Sequence, residues 1–527
     1  MFKYLKICLC VVLTLCLLLL SACAESTTTT TEEIVEIPVE GTTNSDNPSN
    51  DLTNNQPSSS DGGDIMDNNS KPLISNPSST DKNPTPSNPD WVPDQSIGSD
   101  NNLGSSTVKG ETQTVFTPIS LADAQKNAKA YMSAMASQYN ITDINAVNSG
   151  IYNSDNYRIA KLIEKALKGE NLTIATIGGS ITNGGKAGAV EDRYANRLQD
   201  WFEATFPNIK VTLVNAGIGA TTSSFGLYRL NEDVLIYDPD LIIIEFAGND
   251  GTREYLVEPY EALLRSALNY KEAAVIPFYF VHQDKKKTGQ KTQQATADYY
   301  KLPQISYLDA YGSYSDWNSM FPPTDTVHPN ALGHIRAGFV IGQLLTNALN
   351  NYNSAQKSYS MPAPKYDSSL NHGKDYLAKV EFNLGKASFL KSTVVNNKVE
   401  DRPLENKIKF ENNNLSLKKD NHKLTHHNLD LVTVPKGKTL KLTITDIKAF
   451  LIIMARDADC GSDIEVVVTE NDTKKKTTTS LNCYYKTLNL WDSGILYRTS
   501  NGKPHSVTVE ITPIDGSFSF AALGISD

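Results

Sequence analysis

The sequence predicts an α/β domain with a parallel sheet, followed by a mostly β C-terminal domain. Three observations carry that prediction. Over residues 113–352, stretches with apolar residues at helical spacing alternate with short apolar runs that end on Gly- and Asn-rich turns. Such alternation implies right-handed βαβ crossovers and a parallel sheet covered on both faces. Over residues 376–527 the apolar period changes to two, and short strands follow one another between turn signals without helices, the pattern of a β-sandwich. Ahead of both, residues 24–112 are Ser, Thr, Asn, Asp and Pro with hardly an aromatic side chain, which is too little apolar surface to offset the chain entropy of folding.

The amino end predicts an address. Lys3 and Lys6 precede an apolar run over 7–20, the core of a signal peptide and not a spanning helix. The run closes on Leu20-Ser21-Ala22-Cys23, which resembles the lipobox of bacterial lipoproteins. That resemblance implies a signal peptide over 1–23, lipidation of Cys23, and a lipid anchor holding the chain on the extracytoplasmic face of the cell membrane. Ordinary secretion, with cleavage after Ala22 or Ala24, is the competing reading. Cys8, Cys10, Cys16 and Cys23 all fall in this segment, so only Cys460 and Cys483 remain in the body of the chain. An exported pair can bond, but two cysteines do not make a disulfide scaffold. As a flexible coil, the tether over 24–112 spans ~50 Å, enough to stand the folded part off a membrane or to cross a cell wall. The formal net charge of -10 argues against nucleic acid, whose phosphates need concentrated Lys and Arg.

Within the α/β part, helical spacing covers 122–138 and 157–167, the latter stopped by Gly169. The first strand is 172–177, short and bounded by breakers as a buried parallel strand should be. Then come a helix over 193–206 closed by Pro207, a strand over 210–214, and a strand over 240–246. A helix over 260–268, a strand over 274–281, a helix over 293–300, a short strand over 305–308 and a last helix over 332–349 complete the domain. Residues 353–375 turn polar and Pro/Ser-rich, as a linker does. Strands are then expected over 379–384, 440–444, 450–455, 464–469, 506–511 and 518–525.

Four turns stand where the carboxyl edge of the sheet should be, the edge at which open α/β sheets bind ligands. The first strand runs into Gly178-Gly179-Ser180, and the second into Asn215-Ala216-Gly217-Ile218-Gly219. The third runs into Gly248-Asn249-Asp250, and Asp325-Thr326-Val327-His328 precedes the last helix. Alone, Ser180 reads more readily as the N-cap of the next helix. Together the four turns supply what serine acyl transfer requires. A hydroxyl becomes a nucleophile when a histidine takes its proton, and that histidine is held by a carboxylate. The developing oxyanion needs fixed donors, such as backbone N–H groups and an amide.

These four blocks, in this order over about 157–349, resemble the SGNH (GDSL-type) hydrolases. The resemblance implies an SGNH-type three-layer sandwich, with Ser180 as nucleophile, His328 as base and then acid, and Asp325 as its orienter. It also implies an oxyanion hole made of the Ser180 amide, the Gly219 amide and the Asn249 side chain. Two departures stand out: Gly179 replaces the aspartate of the usual GDS, and the third block is one residue shorter, reading GND. The GGSIT form resembles a subgroup frequent among bacterial carbohydrate esterases.

Other candidates have plainer readings. His282 follows a strand without a suitably spaced carboxylate. His334, less than two helical turns beyond His328, suits helix packing or capping. His422, His426 and His427 read as a polar loop more readily than as a metal site. Trp491, Tyr484 and Tyr485 suit a sandwich core as well as a sugar platform, and Asp250 suits loop support.

The resulting expectation is an extracellular serine esterase that removes acyl groups, acetyl foremost, from a carbohydrate. It needs no cofactor and no metal, and its partners are an acylated glycan or small ester and the membrane. A lipid or thioester hydrolase, a glycan O-acyltransferase, and a non-enzymatic surface-binding lipoprotein are the alternatives.

Overall fold

The run LTIATIG over 172–178 is buried at every position except Thr173, because this strand lies inside a sheet with cover on both faces. The structure, a computed structural model, describes residues 117–286, 289–366, 378–383, 386–395, 398–403, 407–410, 416–418, 431–484 and 489–526. The signal peptide, Cys23, the tether, and His422, His426 and His427 lie outside those residues.

In chain order the α/β part contains α1 (Leu121–Gln138), α2 (Ile144–Ser149), β1 (Ile151–Tyr152), α3 (Tyr157–Leu167), β2 (Leu172–Gly178) and α4 (Ser180–Asn183). There follow α5 (Tyr194–Thr205), β3 (Val211–Gly217), α6 (Ser223–Asp233), β4 (Leu241–Glu245), α7 (Ala247–Asp250) and α8 (Val257–Asn269). The last are β5 (Ala274–Tyr279), α9 (Gln290–Tyr299), β6 (Gln304–Ser306), α10 (Tyr307–Tyr311) and α11 (Ala331–Asn350). The sheet runs β1-β6-β5-β4-β2-β3. Neighbours are parallel except at the β1 edge, which pairs with β6 antiparallel.

Side chains alternate across this sheet, as strand geometry requires. Ile174, Leu241, Ile243 and Phe278 join one apolar core with α1, α5 and α11. Ala175, Ile177, Ile242 and Ile244 join another with α6 and α8. The expected helices and strands are present with shifts of a few residues at their ends. Several features depart from expectation, the short helices α2, α4 and α7 among them. The two-residue β1 is too short to carry a period. Residues 307–308 open α10 and do not extend β6, because the Ser306 hydroxyl accepts the Asp309 N–H and starts a helix. Helix α6 was not expected, since Ser223, Ser224 and Gly226 are weak helix formers. Residues 223–231 of that helix are buried all round, so it has no polar face to reveal a period.

The C-terminal part is two antiparallel sheets. One orders β10 (Ile408–Phe410), β13 (Leu440–Ile447), β18 (His505–Pro513), β15 (Ile464–Glu470) and β16 (Lys476–Leu481). The other includes β7 (Ala378–Asn383), β8 (Lys386–Val395), β9 (Lys398–Pro403), β11 (Ser416–Lys418) and β12 (Leu431–Val434), together with β14 (Ala449–Arg456), β17 (Asn489–Arg498) and β19 (Phe518–Ser526). Leu442, Ile444, Val466 and Val509 from the first sheet meet Phe450, Ile452, Phe520 and Leu523 from the second in one core. That is a sandwich.

Strand β14 is buried on both faces. Phe450, Ile452 and Met454 point into the sandwich core, while Ala449, Leu451, Ile453 and Ala455 join the α6–α8 core of the α/β part. Its sequence AFLIIMAR is accordingly a continuous apolar run and not an alternating one. At Gly524 a Cβ would stand 2.8 Å from Tyr228 of α6 and 2.9 Å from Leu451, so helix and sandwich touch there with no room for a side chain. The stretch expected as a linker is fastened as far as it is described. Tyr359 and Met361 pack on the same core, and Glu261 accepts the Lys365 and Tyr366 N–H groups at 2.5 and 3.0 Å. Cys460 and Cys483 are buried thiols that do not bond to each other, and burial pushes both up to about 12.

Candidate active site

Strand β2 ends on Gly178 and runs straight into Gly179, and both stand in crowded surroundings. A Cβ on Gly178 would meet the Thr182 hydroxyl at 2.0 Å, and one on Gly179 would meet Asn249 Oδ1 at 2.5 Å. At Gly179 the Asn249 side chain occupies the space beside the backbone. The chain then turns into the single-turn helix α4, with Ser180 at its start, and leaves it through Gly184 at φ 101°, a left-handed conformation that favours glycine.

The DxxH segment folds its own carboxylate over itself. Asp325 Oδ1 accepts the Val327 and His328 N–H groups, both at 3.0 Å. Asp325 Oδ2 lies 2.8 Å from His328 Nδ1. An ionised carboxylate only accepts, so Nδ1 carries the proton and Nε2 is left as the acceptor. Nε2 stands 2.8 Å from Ser180 Oγ. Burial pushes the Asp325 carboxyl up, but its bonds from His328 and Val327 outweigh that and hold it below its ordinary value. The result is an unbroken row from carboxylate to imidazole to hydroxyl.

The expected oxyanion donors gather at the same place. A Cβ on Gly219 would lie 3.8 Å from Ser180 Cβ, and Asn249 packs against Gly179. The turn holding Asn249 is wrapped by Arg253, whose guanidinium donates to the carbonyls of Asn249 and, at 3.0 Å, of Asp250. Asp250 supports this region as expected. Its Oδ1 accepts the Ser223 N–H and its Oδ2 the Gln293 amide, both at 2.9 Å. Burial raises the Asp250 carboxyl to about 7. Glu245, at the end of β4, accepts the Thr182 hydroxyl at 3.0 Å and is likewise raised to about 7 by burial.

His282 sits beside Gly248, where a Cβ would be 3.3 Å from its Nε2, while the imidazole 2.8 Å from Ser180 Oγ is that of His328. His334 is fully buried, stacks on Tyr194 and bonds the Gly185 carbonyl at 3.1 Å. Burial lowers it to about 4, so it is a neutral packing residue at pH 7, as expected. Tyr484 is exposed; Tyr485 and the Trp491 side chain lie outside what is described. Among the described residues, the one group with metal-ligating atoms close together is Glu470, Asp472 and His505 in the sandwich. There the His505 ring already bonds Asp472 and Asn501. No helix among the described residues is long and apolar enough to cross a membrane.

One supporting residue was not anticipated. Arg229 of α6 is wholly buried and donates to the carbonyls of Ala216 at 2.6 Å and Gly178 at 2.9 Å, with Asp233 as its 3.0 Å counter-ion. It ties together the ends of β2 and β3, on which Ser180 and Gly219 stand. A single arginine inside an unrecognised helix leaves no sequence signal beyond its charge among apolar neighbours.

Residues 176–336 match the GDSL-like lipase/acylhydrolase family. An acetylxylan esterase of Geobacillus stearothermophilus is 27% identical over 30% of this chain and 87% of its own. A two-domain esterase active on acetylated mannans shares the fold: 24% identity, TM-score 0.56, covering 72% of this chain and 98% of that one.

Proposed function

We propose that this chain, an ester-bond hydrolase with a GDSL-like lipase/acylhydrolase domain over residues 176–336, removes acetyl groups from a carbohydrate polymer by way of Ser180, His328 and Asp325. The observation that carries the chemistry is the row Asp325–His328–Ser180, with two 2.8 Å contacts, at the carboxyl edge of a parallel sheet. The carbohydrate rests on what the relatives act on, acetylxylan and acetylated mannans.

In this reading the Ser180 hydroxyl attacks the acetyl carbonyl carbon while His328 Nε2 takes its proton, and Asp325 holds the resulting imidazolium. The carbonyl π pair moves onto oxygen, which the Ser180 and Gly219 N–H groups and the Asn249 amide receive. The intermediate collapses, the C–O bond to the sugar breaks, and His328 returns the proton to the leaving alkoxide. Water, deprotonated by the same imidazole, then attacks the acetyl-serine; acetate leaves and Ser180 regains its proton from His328.

The address belongs to the same proposal: residues 1–22 are removed, Cys23 becomes the lipidated amino terminus and anchors the chain at the extracytoplasmic face, and residues 24–112 tether the enzyme. Release of acetate from acetylated xylan and mannan, with p-nitrophenyl esters of rising acyl length beside them, tests the substrate. Activity confined to acetyl, and lost in Ser180→Ala and His328→Ala, is expected, because members of such a triad act as a unit. Preference for long acyl chains refutes the carbohydrate reading. Undiminished turnover in either variant refutes the triad. Cys23→Ser should move the enzyme from the membrane fraction to the medium, and no change refutes the anchor.

A further inference from the structure

Gly219 owes its place to a short and strained loop. The next residue, Ala220, has φ 60°, a left-handed conformation that costs a residue with a Cβ ~1–2 kcal/mol and persists only when its surroundings enforce it. On the near side, β3 and the Arg229 clamp fix Ala216. Inside the loop, the Thr221 hydroxyl donates to the Ile218 carbonyl at 2.7 Å. On the far side the loop runs into α6, whose N-cap residue, Thr222, makes no side-chain cap bond to its own helix.

The Thr222 hydroxyl lies 2.9 Å from the Ser224 hydroxyl of its own helix but caps no backbone N–H there, and the sandwich domain claims both hydroxyls. Thr222 donates to Asp492 Oδ2 of β17, and the Ser224 hydroxyl donates to Asp492 Oδ1 at 2.9 Å. Asp492 is 3% exposed. Its Oδ1 also accepts the Gly494 N–H at 3.0 Å, which fixes the carboxylate in its own strand. The amino end of α6 thus receives two carboxylates, Asp250 from the α/β domain on Ser223 and Asp492 from the sandwich on Thr222 and Ser224. Negative charge is favoured at that end of a helix. The buried hydroxyls leave few other partners for a carboxylate that would otherwise be costly to bury.

We propose that Asp492 is a positioning residue for ester hydrolysis: through Thr222 and Ser224, the sandwich domain holds the Gly219–Ala220 loop so that the Gly219 amide faces the oxygen of the carbonyl attacked by Ser180. The proposal rests on the reading of Gly219 as an oxyanion donor. It gives the second domain a part in turnover even on esters too small to reach a separate sugar site.

The test is the hydrolysis of p-nitrophenyl acetate by the full chain, with working sites counted by complete titration with a fluorophosphonate. A displacement of ~1 Å costs up to ~100-fold. Asp492→Ala is therefore expected to lower kcat per titrated site by about 10- to 100-fold with KM changed less than twofold. Asp492→Asn, which keeps one acceptor, should fall between it and wild type. Thr222→Val removes one of the two hydroxyls that hold Asp492, from the other domain, and serves if Asp492→Ala does not fold. It should lose kcat alike, Thr222→Ser should recover it, and Asp492→Asn combined with Thr222→Val should be no worse than the poorer single variant. Wild-type kcat in folded, fully titrated Asp492→Ala or Thr222→Val overturns the proposal, as does a loss confined to KM. Ser180→Ala, assayed in parallel, separates the two ideas. If it is inactive while the Asp492 and Thr222 variants are not, only the positioning role falls; if it is active, the site reading itself falls.

Discussion

Leu451→Ala on strand β14 asks whether the two domains unfold as one. Leu451 is fully buried, and its side chain lies in the α6–α8 core, at the point where Gly524 and Tyr228 also meet. Truncating such a leucine costs ~2–5 kcal/mol, through lost transfer free energy and the cavity left behind. Taking about 3 kcal/mol, and an unfolding entropy of ~2.1 cal/mol/K per residue over roughly 400 residues, or ~0.8 kcal/mol/K, the midpoint should fall by about 4 °C. Its neighbour Ile452, also fully buried, faces the sandwich core instead, so Ile452→Ala provides the comparison. Both variants are heated at one fixed scan rate, since large proteins often unfold irreversibly. Loss of p-nitrophenyl acetate hydrolysis and loss of far-UV circular dichroism are followed together. Both signals should move by the same few degrees in both variants. If Leu451→Ala leaves the inactivation midpoint within 1 °C of wild type, or if a chain ending at residue 366 melts and works like the whole, the shared core has no energetic meaning and the reasoning fails.

Asn249→Ala should lower kcat by ~10²–10³ at nearly constant KM, the usual cost of one oxyanion donor, in steady-state assays on the small ester. Gly179→Ala, whose Cβ would lie 2.5 Å from Asn249 Oδ1, should mimic it in part, and a rise in KM alone would make Asn249 a substrate contact instead. Glu245 is raised by burial to about 7, so the folded state keeps a proton that the unfolded chain releases near its ordinary carboxylate value. The stability associated with it is complete at pH ~4 and is lost as pH rises through about 7, by on the order of 3 kcal/mol. Glu245→Gln cannot titrate, so its denaturant midpoint should fall less steeply between pH 5 and 7 than that of wild type. An unchanged slope would show that Glu245 titrates normally. Asp250, raised alike, should leave part of the slope in place.

The amino-acid sequence by itself determined the α/β order, the position of Ser180 after a buried strand, and the pairing of Asp325 with His328. These are local facts. Strand and helix periods repeat within a few residues, breakers punctuate them, and a carboxylate three residues before a histidine can fold onto its own loop. The sequence also carries a trace of the domain contact, in the unbroken apolar run of β14, which lacks the alternation of a strand with one exposed face. What only the tertiary structure decided depends on neighbours distant in the chain. Helix α6 was hidden because burial on every side leaves no polar stripe, and Ser-Ser-x-Gly is a poor local signal for a helix. Arg229 matters because two strand ends converge on it, and Gly179 because Asn249, from another strand end, fills the space beside it. Asp492 meets Thr222 across 270 residues of chain; no periodicity records such a contact, because it exists only once two separately patterned domains have packed a common core.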